Sequence, residues 1–246
     1  MGKLSSLIRA VAGKKRFTSA IILAAGSGRR FSDDRAKQFE LVGGESVLVR
    51  SARAFEECEL ISEIIIVTRE ADIDGCRNIL ASKGITKVTR VVAGGDTRQK
   101  SAKNGFDAVN PESEFVAIHD AARCLVTPAM IEAAMESAFV YGAAACGAKA
   151  TDTIKKTDGA DNITETVDRS NCWLVQTPQI FMADMYRAAA YMAEKDKIDA
   201  TDDCALCERL GFKVKLVDCG KTNMKITYPE DIIIAEAILK YREAAK

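Results

Sequence analysis

Short apolar runs alternate along the chain with longer segments in which apolar residues recur at helical spacing. The runs that we interpret as strands are Ser19–Leu23, Glu63–Thr68, Lys87–Val92, Phe115–Ile118, Ala143–Ala150 and Lys213–Val217. The helical patterns cover Ser46–Cys58, Ala71–Lys83, Arg98–Val109, Pro128–Tyr141, Ala183–Lys195, Asp202–Leu210 and a last segment from Pro229 to about Arg242. Because this alternation is typical of parallel sheets, we predict an α/β fold, a mostly parallel twisted sheet flanked by helices on both faces.

The alternation breaks in the polar stretch 151–171. Two β-prone segments, Thr153–Lys155 and Ile163–Val167, flank the turn signal Asp158-Gly159, which predicts a β-hairpin arm that projects from the domain. The unpaired edges of such an arm are suited to pairing with another chain. At 246 residues the chain is long enough for one large hydrophobic core. We therefore expect a single domain over 18–246, preceded by an N-terminal extension over 1–17.

Composition narrows the possible functions. The 35 basic residues balance 35 acidic ones, which argues against binding of nucleic acid through bulk charge but leaves room for a local basic pocket. No stretch approaches the ~20 apolar residues of a membrane span, so we expect no membrane partner. The eight cysteines are scattered, and we interpret them as reduced thiols of a cytoplasmic protein. The one C-x-x-C pair, Cys204 and Cys207, is interpreted as two positions on a helix, since no second pair completes a zinc site.

A glycine-rich segment, Gly26-Ser27-Gly28, follows the first predicted strand directly. Glycines in this position let backbone N–H groups approach an anion. Phe31 stands where a dinucleotide-binding fingerprint needs its third glycine, so that class of site is rejected. Three cations, Arg29, Arg30 and Lys37, lie within nine residues of Gly28. The segment therefore predicts a triphosphate site.

Five sequence segments point to a known family. Each is weak evidence by itself, but the five in this order are specific. They are Leu23–Arg30 with Lys37-Gln38, Gly94–Ser101, His119–Arg123, Thr166–Arg169 with Gln176–Gln179, and Asn223–Thr227 with Pro229–Asp231. Together they resemble the 2-C-methyl-D-erythritol 4-phosphate cytidylyltransferase family of the sugar-nucleotide pyrophosphorylase superfamily. The resemblance runs from about Ser19 to Tyr241 and implies a Rossmann-like nucleotidyltransferase fold. Ala36 and Cys124 stand where the family usually has proline, a difference that affects loop rigidity and removes no charge.

The resemblance implies transfer of CMP from CTP to 2-C-methyl-D-erythritol 4-phosphate in the non-mevalonate isoprenoid pathway, giving 4-diphosphocytidyl-2-C-methyl-D-erythritol and pyrophosphate. The phosphate of the acceptor attacks the α-phosphorus directly. Because a phosphate monoester is already anionic at neutral pH, no general base and no covalent intermediate are required. Catalysis then consists of positioning and of charge stabilisation, with Mg²⁺ arriving with CTP as the expected cofactor.

The resemblance also assigns roles to individual residues. The catalytic cations are Arg30, Lys37, Arg169 and Lys225. The nucleotide is expected to contact Ala24, Ala25, Gly26, Gly28, Gly95, Asp96, Ser101, Asp120 and Ala121, and the acceptor phosphate to contact Asp120, Arg123, Thr153, Arg169, Thr177 and Lys225. Asp120 is expected to hold the metal, the alternative being a structural cap at the start of a loop. His119 is interpreted as structural.

Thr153 and Arg169 lie on the predicted hairpin arm, so the resemblance implies a homodimer in which the arm reaches into the other subunit. The alternative is an arm that closes the site of its own chain. Two other functions stay open: a ribitol-5-phosphate cytidylyltransferase, which shares the fold and most motifs, and an inactive nucleotide-binding module. Thr166–Arg169 with Trp173, and Ala200–Asp203, favour the methylerythritol substrate, and the four catalytic cations argue against an inactive module.

Overall fold

The structure is a computed structural model and describes residues 16–26 and 37–245. Its strands are β1 (Thr18–Leu23), β2 (Leu41–Val42), β3 (Glu45–Ser46), β4 (Glu63–Thr68), β5 (Val88–Ala93), β6 (Phe115–Asp120), β7 (Ala143–Lys149), β8 (Ile154–Thr157), β9 (Ile163–Val167), β10 (Trp173–Met182) and β11 (Lys215–Asp218). Its helices are α1 (Val47–Glu57), α2 (Ile73–Ser82), α3 (Arg98–Asp107), α4 (Pro128–Tyr141), α5 (Ala183–Lys195), α6 (Asp203–Arg209) and α7 (Glu230–Ala244). Short 3₁₀ turns lie at Lys37–Phe39, Glu70–Asp72 and Arg169–Asn171.

Seven strands form the central sheet in the order β11-β7-β10-β6-β1-β4-β5. The pairs β1–β4, β1–β6, β4–β5 and β7–β11 are parallel, whereas β10 runs antiparallel to both β6 and β7. The predicted mostly parallel sheet is therefore confirmed. The pattern of apolar residues missed β10, because its middle carries Gln176, Thr177 and Gln179, which are buried but polar.

Successive side chains of the central strands enter two separate cores. In β1, Ala20 and Ile22 pack on one face against α1, α2 and α4, while Ile21 packs on the other face against α3, α5 and α6. Strands β1, β4 and β6 are buried on both faces, which explains why their sequences are apolar without alternation. The predicted cover of helices on both faces is confirmed.

The chain changes direction beside β1. From β1 it winds through α1, β4, α2 and β5 on one side, then returns to place β6 on the other side. In open α/β sheets, the crevice outside the carboxyl ends of two such strands is where ligands bind. Helix α3 begins at this edge because the Thr97 hydroxyl accepts a hydrogen bond from the Lys100 N–H (3.1 Å) and so caps its first turn.

Strands β8 and β9 form a separate two-stranded antiparallel sheet where the hairpin arm was predicted. The turn between them is closed by Asp158, whose carboxylate accepts hydrogen bonds from the N–H groups of Ala160 and Asn162. Most residues of both strands are exposed. Within the described part of the chain, no helix combines the length and the apolar character needed to cross a bilayer.

Candidate active site

A cavity of about 520 Å³ opens at the carboxyl ends of β1, β5 and β6, the crevice defined by the change of direction. The predicted site residues that line it are Ala24, Ala25, Gly26, Lys37, Gly95, Asp96, Ser101, Asp120, Ala121 and Lys225. Two predicted residues, Gly28 and Arg30, lie outside the described residues. Residues from distant parts of the sequence therefore meet at one place, as the predicted nucleotide site requires.

One wall of the cavity is made of main chain. The N–H of Ala24 donates to the Val67 carbonyl (2.7 Å), which extends β1 toward the glycines. A Cβ at Gly94 would lie 2.5 Å from the Cβ of Ala25, so the two segments can approach this closely only because Gly94 has no side chain. The N–H of Gly95 donates to the Ser101 hydroxyl (3.1 Å), which in turn donates to the Thr97 carbonyl (2.9 Å).

Asp120 ends β6 and occupies the centre of the cavity floor. Its carboxylate accepts hydrogen bonds from Arg98 Nε (3.0 Å) and from Lys225 Nζ (2.7 Å). Burial alone raises the pKa of Asp120, but the positive charges of Arg98 and Lys225 outweigh burial and hold that pKa well below its ordinary range. The side chain is therefore an anion at neutral pH.

Arg98 joins Asp120 to a second buried acid. Its Nη1 donates to Asp203 (2.7 Å), whose side chain is 1% exposed and also accepts a hydrogen bond from the Tyr186 hydroxyl (3.0 Å). Burial lowers the pKa of Arg98, but the two carboxylates raise it further than burial lowers it, so Arg98 stays charged. Arg98 was not predicted to have a role, although it lies inside the Gly94–Ser101 segment. The sequence signal for such a role was its position at the start of a helix, shortly after two glycines.

The charges along this chain of contacts cancel. Lys225 and Arg98 each carry one positive charge, and Asp120 and Asp203 each carry one negative charge when ionised. A surplus of positive charge in the cavity must therefore come from other residues. Lys37 also lines the cavity, and its Nζ donates to the Ile226 carbonyl (2.7 Å).

Thr177 supports Asp120 from below. Its hydroxyl accepts a hydrogen bond from the Asp120 N–H (3.0 Å) and lies 3.0 Å from His119 Nδ1. Burial lowers the pKa of His119 to about 3, so the imidazole is neutral at physiological pH. Thr177 is 3% exposed and does not line the cavity, so its predicted contact with the acceptor phosphate stays a prediction. His119 fits the structural role predicted for it.

Arg123 lies behind the cavity wall. Its Nη1 donates to the Asn223 carbonyl (2.9 Å), and the Asn223 amide donates to Gln176 (3.0 Å) and to the Thr177 carbonyl (2.9 Å). These bonds join the loop after β6, the middle of β10 and the segment that carries Lys225. The predicted contact of Arg123 with the acceptor phosphate stays a prediction.

The two predicted residues of the arm are exposed. Arg169 donates to the Thr151 carbonyl (2.5 Å) at the base of the arm. The short turn that carries Arg169 is capped by the Asp168 carboxylate, which accepts a hydrogen bond from the Ser170 N–H (3.0 Å). Thr153 lies just before β8. Neither Thr153 nor Arg169 lines the cavity of the same chain. Within the described residues, a single chain therefore brings ten of the predicted residues together in the cavity, whereas Arg123, Thr177 and the two arm residues lie outside its lining.

Comparison with known sequences gives a consistent result. Residues 18–241 match the family described as IspD, 2-C-methyl-D-erythritol 4-phosphate cytidylyltransferase. A relative of that name from Caldanaerobacter subterraneus subsp. tengcongensis is 42% identical over 223 residues, which cover 90% of this chain and 98% of the relative. Another from Clostridium acetobutylicum is 42% identical over 222 residues, covering 90% and 96% of the two chains.

Solved structures of proteins with related names share the fold. The 4-diphosphocytidyl-2C-methyl-D-erythritol synthase of Anaerococcus prevotii superposes with a TM-score of 0.82 at 31% identity, covering 94% of this chain and 99% of that one. A 2-C-methyl-D-erythritol 4-phosphate cytidylyltransferase from Thermus thermophilus gives a TM-score of 0.73 at 29% identity, covering 89% and 98%. The similarity therefore extends over nearly the whole chain in both sequence and fold.

Proposed function

Because the chain belongs to the 2-C-methyl-D-erythritol 4-phosphate cytidylyltransferase family, we propose that the cavity at the carboxyl ends of β1, β5 and β6 is where it transfers CMP from CTP to 2-C-methyl-D-erythritol 4-phosphate. The products are 4-diphosphocytidyl-2-C-methyl-D-erythritol and pyrophosphate. One observation carries the assignment: the main-chain wall at Ala24–Gly26 and the Arg98–Asp120–Lys225 contacts share one cavity of about 520 Å³. That volume is in the range of small-molecule sites.

Cytosine is placed against the main-chain wall. The backbone at Ala24, Ala25 and Gly95 lines the cavity there, and the bonds from the Ala24 N–H to Val67 and from the Gly95 N–H to Ser101 hold it rigid. Cytosine and uracil present opposite donor and acceptor patterns, so a rigid wall that pairs with one leaves the other with unpaired groups. The triphosphate then extends past Gly26 toward Lys37, with Gly28 and Arg30 assigned to the same phosphates.

The acceptor phosphate is assigned to Lys225. The ammonium group has three donors, of which one is used by Asp120, and the side chain is 38% exposed toward the cavity. Asp120 thus holds Lys225 in place without consuming its remaining hydrogen-bonding capacity. Thr153 and Arg169 of the arm are proposed to complete the phosphate site.

In the reaction, an oxygen of the acceptor phosphate forms a bond to the α-phosphorus of CTP, and the bond from that phosphorus to the β-phosphate oxygen breaks. Pyrophosphate leaves with the electron pair. The acceptor oxygen is already anionic, so this chain needs no base. The chain must instead align the two phosphates and supply positive charge that offsets their repulsion. We assign both tasks to Arg30, Lys37, Arg169 and Lys225.

The carboxylates of the cavity fit a magnesium ion that is carried mainly by the triphosphate. Such ions take one or two carboxylates besides phosphate oxygens and water. Asp120 and Asp96 are the acidic side chains in the cavity wall, and among the described residues no three potential ligands cluster into an all-protein site. Asp120, ionised at neutral pH, is the residue proposed to hold the ion. When bound, the metal supplies neutralisation of phosphate charge.

The arm is proposed to act in the second subunit of a homodimer. Ile163 on the arm is 64% exposed and Leu174 at the start of β10 is 59% exposed, an apolar surface that pairing of two chains would cover. A two-stranded hairpin is also marginally stable by itself. The compartment proposed is the cytoplasm, because all eight cysteines are free thiols.

Sharing of the site is tested by mixing inactive variants. If the arm serves the partner, Lys37→Ala mixed with Arg169→Ala should recover about a quarter of wild-type activity after subunit exchange, since half of the dimers have one intact site of two. The matched control mixes Lys37→Ala with Lys225→Ala, which damage the same half of the site and should recover nothing. Equal recovery in both mixtures, or none in the first after confirmed exchange, contradicts the shared site.

Substrate choice is tested by pyrophosphate release. With methylerythritol phosphate as acceptor, only CTP among the four nucleoside triphosphates should support rapid release. Ribitol 5-phosphate, the alternative acceptor, has no support from the relatives. Turnover with ribitol 5-phosphate and none with methylerythritol phosphate contradicts the proposed function.

A further inference from the structure

Two thiols meet at one edge of the central sheet although 73 residues separate them in the sequence. Cys146 lies in β7 and Cys219 directly follows β11, and their sulfur atoms are 2.8 Å apart. The main chain fixes this approach. Strand β11 pairs in parallel with β7, with Val217 opposite Cys146, and the Cys219 N–H donates to the Gly147 carbonyl (2.9 Å). Both side chains enter the core on the same face of the sheet.

This geometry is close to that of a covalent bond. A disulfide needs a sulfur–sulfur distance of about 2.0 Å, which is about 0.8 Å shorter than the distance between these two atoms. The C-x-x-C pair is different. Cys204 and Cys207 lie three residues apart within α6, where helix geometry keeps their Cβ atoms about 5–6 Å apart, beyond the ~3.5–4.5 Å that a disulfide requires.

We propose that Cys146 and Cys219 are an oxidation site, at which peroxide forms a reversible disulfide that joins β7 to the end of β11. Hydrogen peroxide converts the Cys219 thiolate to a sulfenic acid and releases hydroxide. The Cys146 sulfur then attacks the sulfenic sulfur, and the S–O bond breaks. In total, two thiols and one peroxide give one disulfide and two waters, and a dithiol reductant reverses the change.

The two thiols differ in the way that this order of steps requires. Cys219 is 7% exposed and Cys146 is fully buried, so a small oxidant reaches Cys219 first. The contact with the Cys146 thiol lowers the pKa of Cys219, which favours the thiolate that reacts with peroxide. The same contact raises the pKa of Cys146, and burial adds to it.

The bond would anchor a segment that the cavity depends on. Within seven residues after Cys219, Asn223 binds Gln176 and Thr177, and Lys225 binds Asp120. The bond would also close a loop that contains the hairpin arm, β10, α5 and α6. Closing a loop of about 70 residues restricts the unfolded chain strongly, and for a chain of this length we expect Tm to rise by about 5–10 °C.

The test uses the full-length, fully reduced protein, treated with hydrogen peroxide, alkylated and digested without reduction. The expected results are a linked Cys146–Cys219 peptide in mass spectra and a higher Tm, both reversed by dithiothreitol. Cys146→Ala and Cys219→Ala should abolish the rise, whereas the control Cys204→Ala/Cys207→Ala should keep it. The peptide analysis needs only wild-type protein, so it decides the chemistry even if a variant folds poorly.

Three results would overturn the inference. One is peroxide treatment that leaves only sulfinic or sulfonic acid at Cys219. A second is a linkage between other cysteines in place of the Cys146–Cys219 pair. The third is a linked peptide with no change in Tm, because the bond would then not join elements that separate on unfolding.

Discussion

Replacing Arg98 by glutamine tests the buried chain of charges beneath the cavity. The change leaves Asp120 and Asp203 without the cation that joins them at 3.0 Å and 2.7 Å. Asp203 is 1% exposed, so its carboxylate is poorly solvated once the guanidinium is removed. Removing one partner of a buried ion pair costs about 3–5 kcal/mol of the free energy of unfolding. Because the Arg98 side chain is 30% exposed, solvent screening places the expected loss at the lower end, about 3 kcal/mol.

A second substitution separates the lost charge from the lost packing. Asp203→Asn keeps a hydrogen-bond acceptor for the Tyr186 hydroxyl but removes the buried negative charge. In the double variant neither charge of that pair remains. The double variant should therefore lose less stability than the sum of the two single variants, with a coupling energy of about 1–3 kcal/mol.

The pH dependence has a definite sign. Burial raises the pKa of Asp203 even with Arg98 present, and loss of Arg98 raises that pKa further. An acid whose folded-state pKa lies above its unfolded value contributes stability at low pH and loses it as the pH rises through the folded value. The cost of Arg98→Gln should therefore be larger at pH 8 than at pH 5, because Asp203 needs a counterion only in its ionised form.

Urea unfolding followed by circular dichroism, at pH 5 and pH 8, measures all four proteins of this cycle. A cost below about 1 kcal/mol for Arg98→Gln at pH 8 would show that Arg98 behaves as a solvated surface cation. Additive single substitutions would show that Arg98 and Asp203 do not interact energetically. Equal costs at the two pH values would refute the assignment of Asp203 as the buried group that titrates.

Three further substitutions test the cavity. Lys37→Ala should lower kcat by at least about 100-fold while urea unfolding is nearly unchanged, whereas Lys103→Ala, which removes an exposed cation on the outer side of α3, should keep full turnover. Gly94→Ala should raise KM for CTP at least about tenfold, because the new Cβ would lie 2.5 Å from a neighbouring side chain. The control is Gly75→Ala on α2, where the new Cβ meets open space and KM should be unchanged. Thr177→Val should lower the free energy of unfolding in urea by about 1–3 kcal/mol, because it leaves buried polar groups unpaired. Thr177→Ser keeps the hydroxyl and should avoid most of that loss. Equal costs for both variants would contradict the role of the hydroxyl.

The periodicity of apolar residues was sufficient for the parallel part of the sheet. Strand β4 and helices α4 and α5 begin and end where the pattern predicts; β4 is buried throughout, and α4 has local signals at both ends, the Thr127 cap with Pro128 and then Gly142. Strand β10 was missed because it crosses the interior with Gln176, Thr177 and Gln179 facing polar partners. The Gln179 amide binds Asp202, and its oxygen accepts from the Asp203 N–H. Such a strand follows from partners on distant segments, which a local pattern does not contain.

The residues of the candidate site also fall into two groups, those that could be placed from the sequence and those that could not. Residues that follow an apolar strand, such as Ala24, Gly26 and Asp120, could be placed in the cavity from the sequence, since the carboxyl ends of parallel strands meet at one edge. Arg98 could not be distinguished from a solvated cation at a helix start, because its role depends on Asp203, more than a hundred residues away. Thr177 was predicted as a substrate contact, whereas the structure places its hydroxyl beneath Asp120, where it fixes the main chain.

The cancelling charges explain why the proposed phosphate site needs cations besides Lys225. Lys225, Asp120, Arg98 and Asp203 sum to zero when ionised, so together they give the cavity floor no net positive charge. A floor with a net positive charge would have to be buried without counterions, at a high desolvation cost. Positive charge is less costly on segments that water still reaches, such as the exposed turn that carries Arg169. If the arm enters the site of a partner subunit as proposed, Arg169 would add positive charge to this neutral floor.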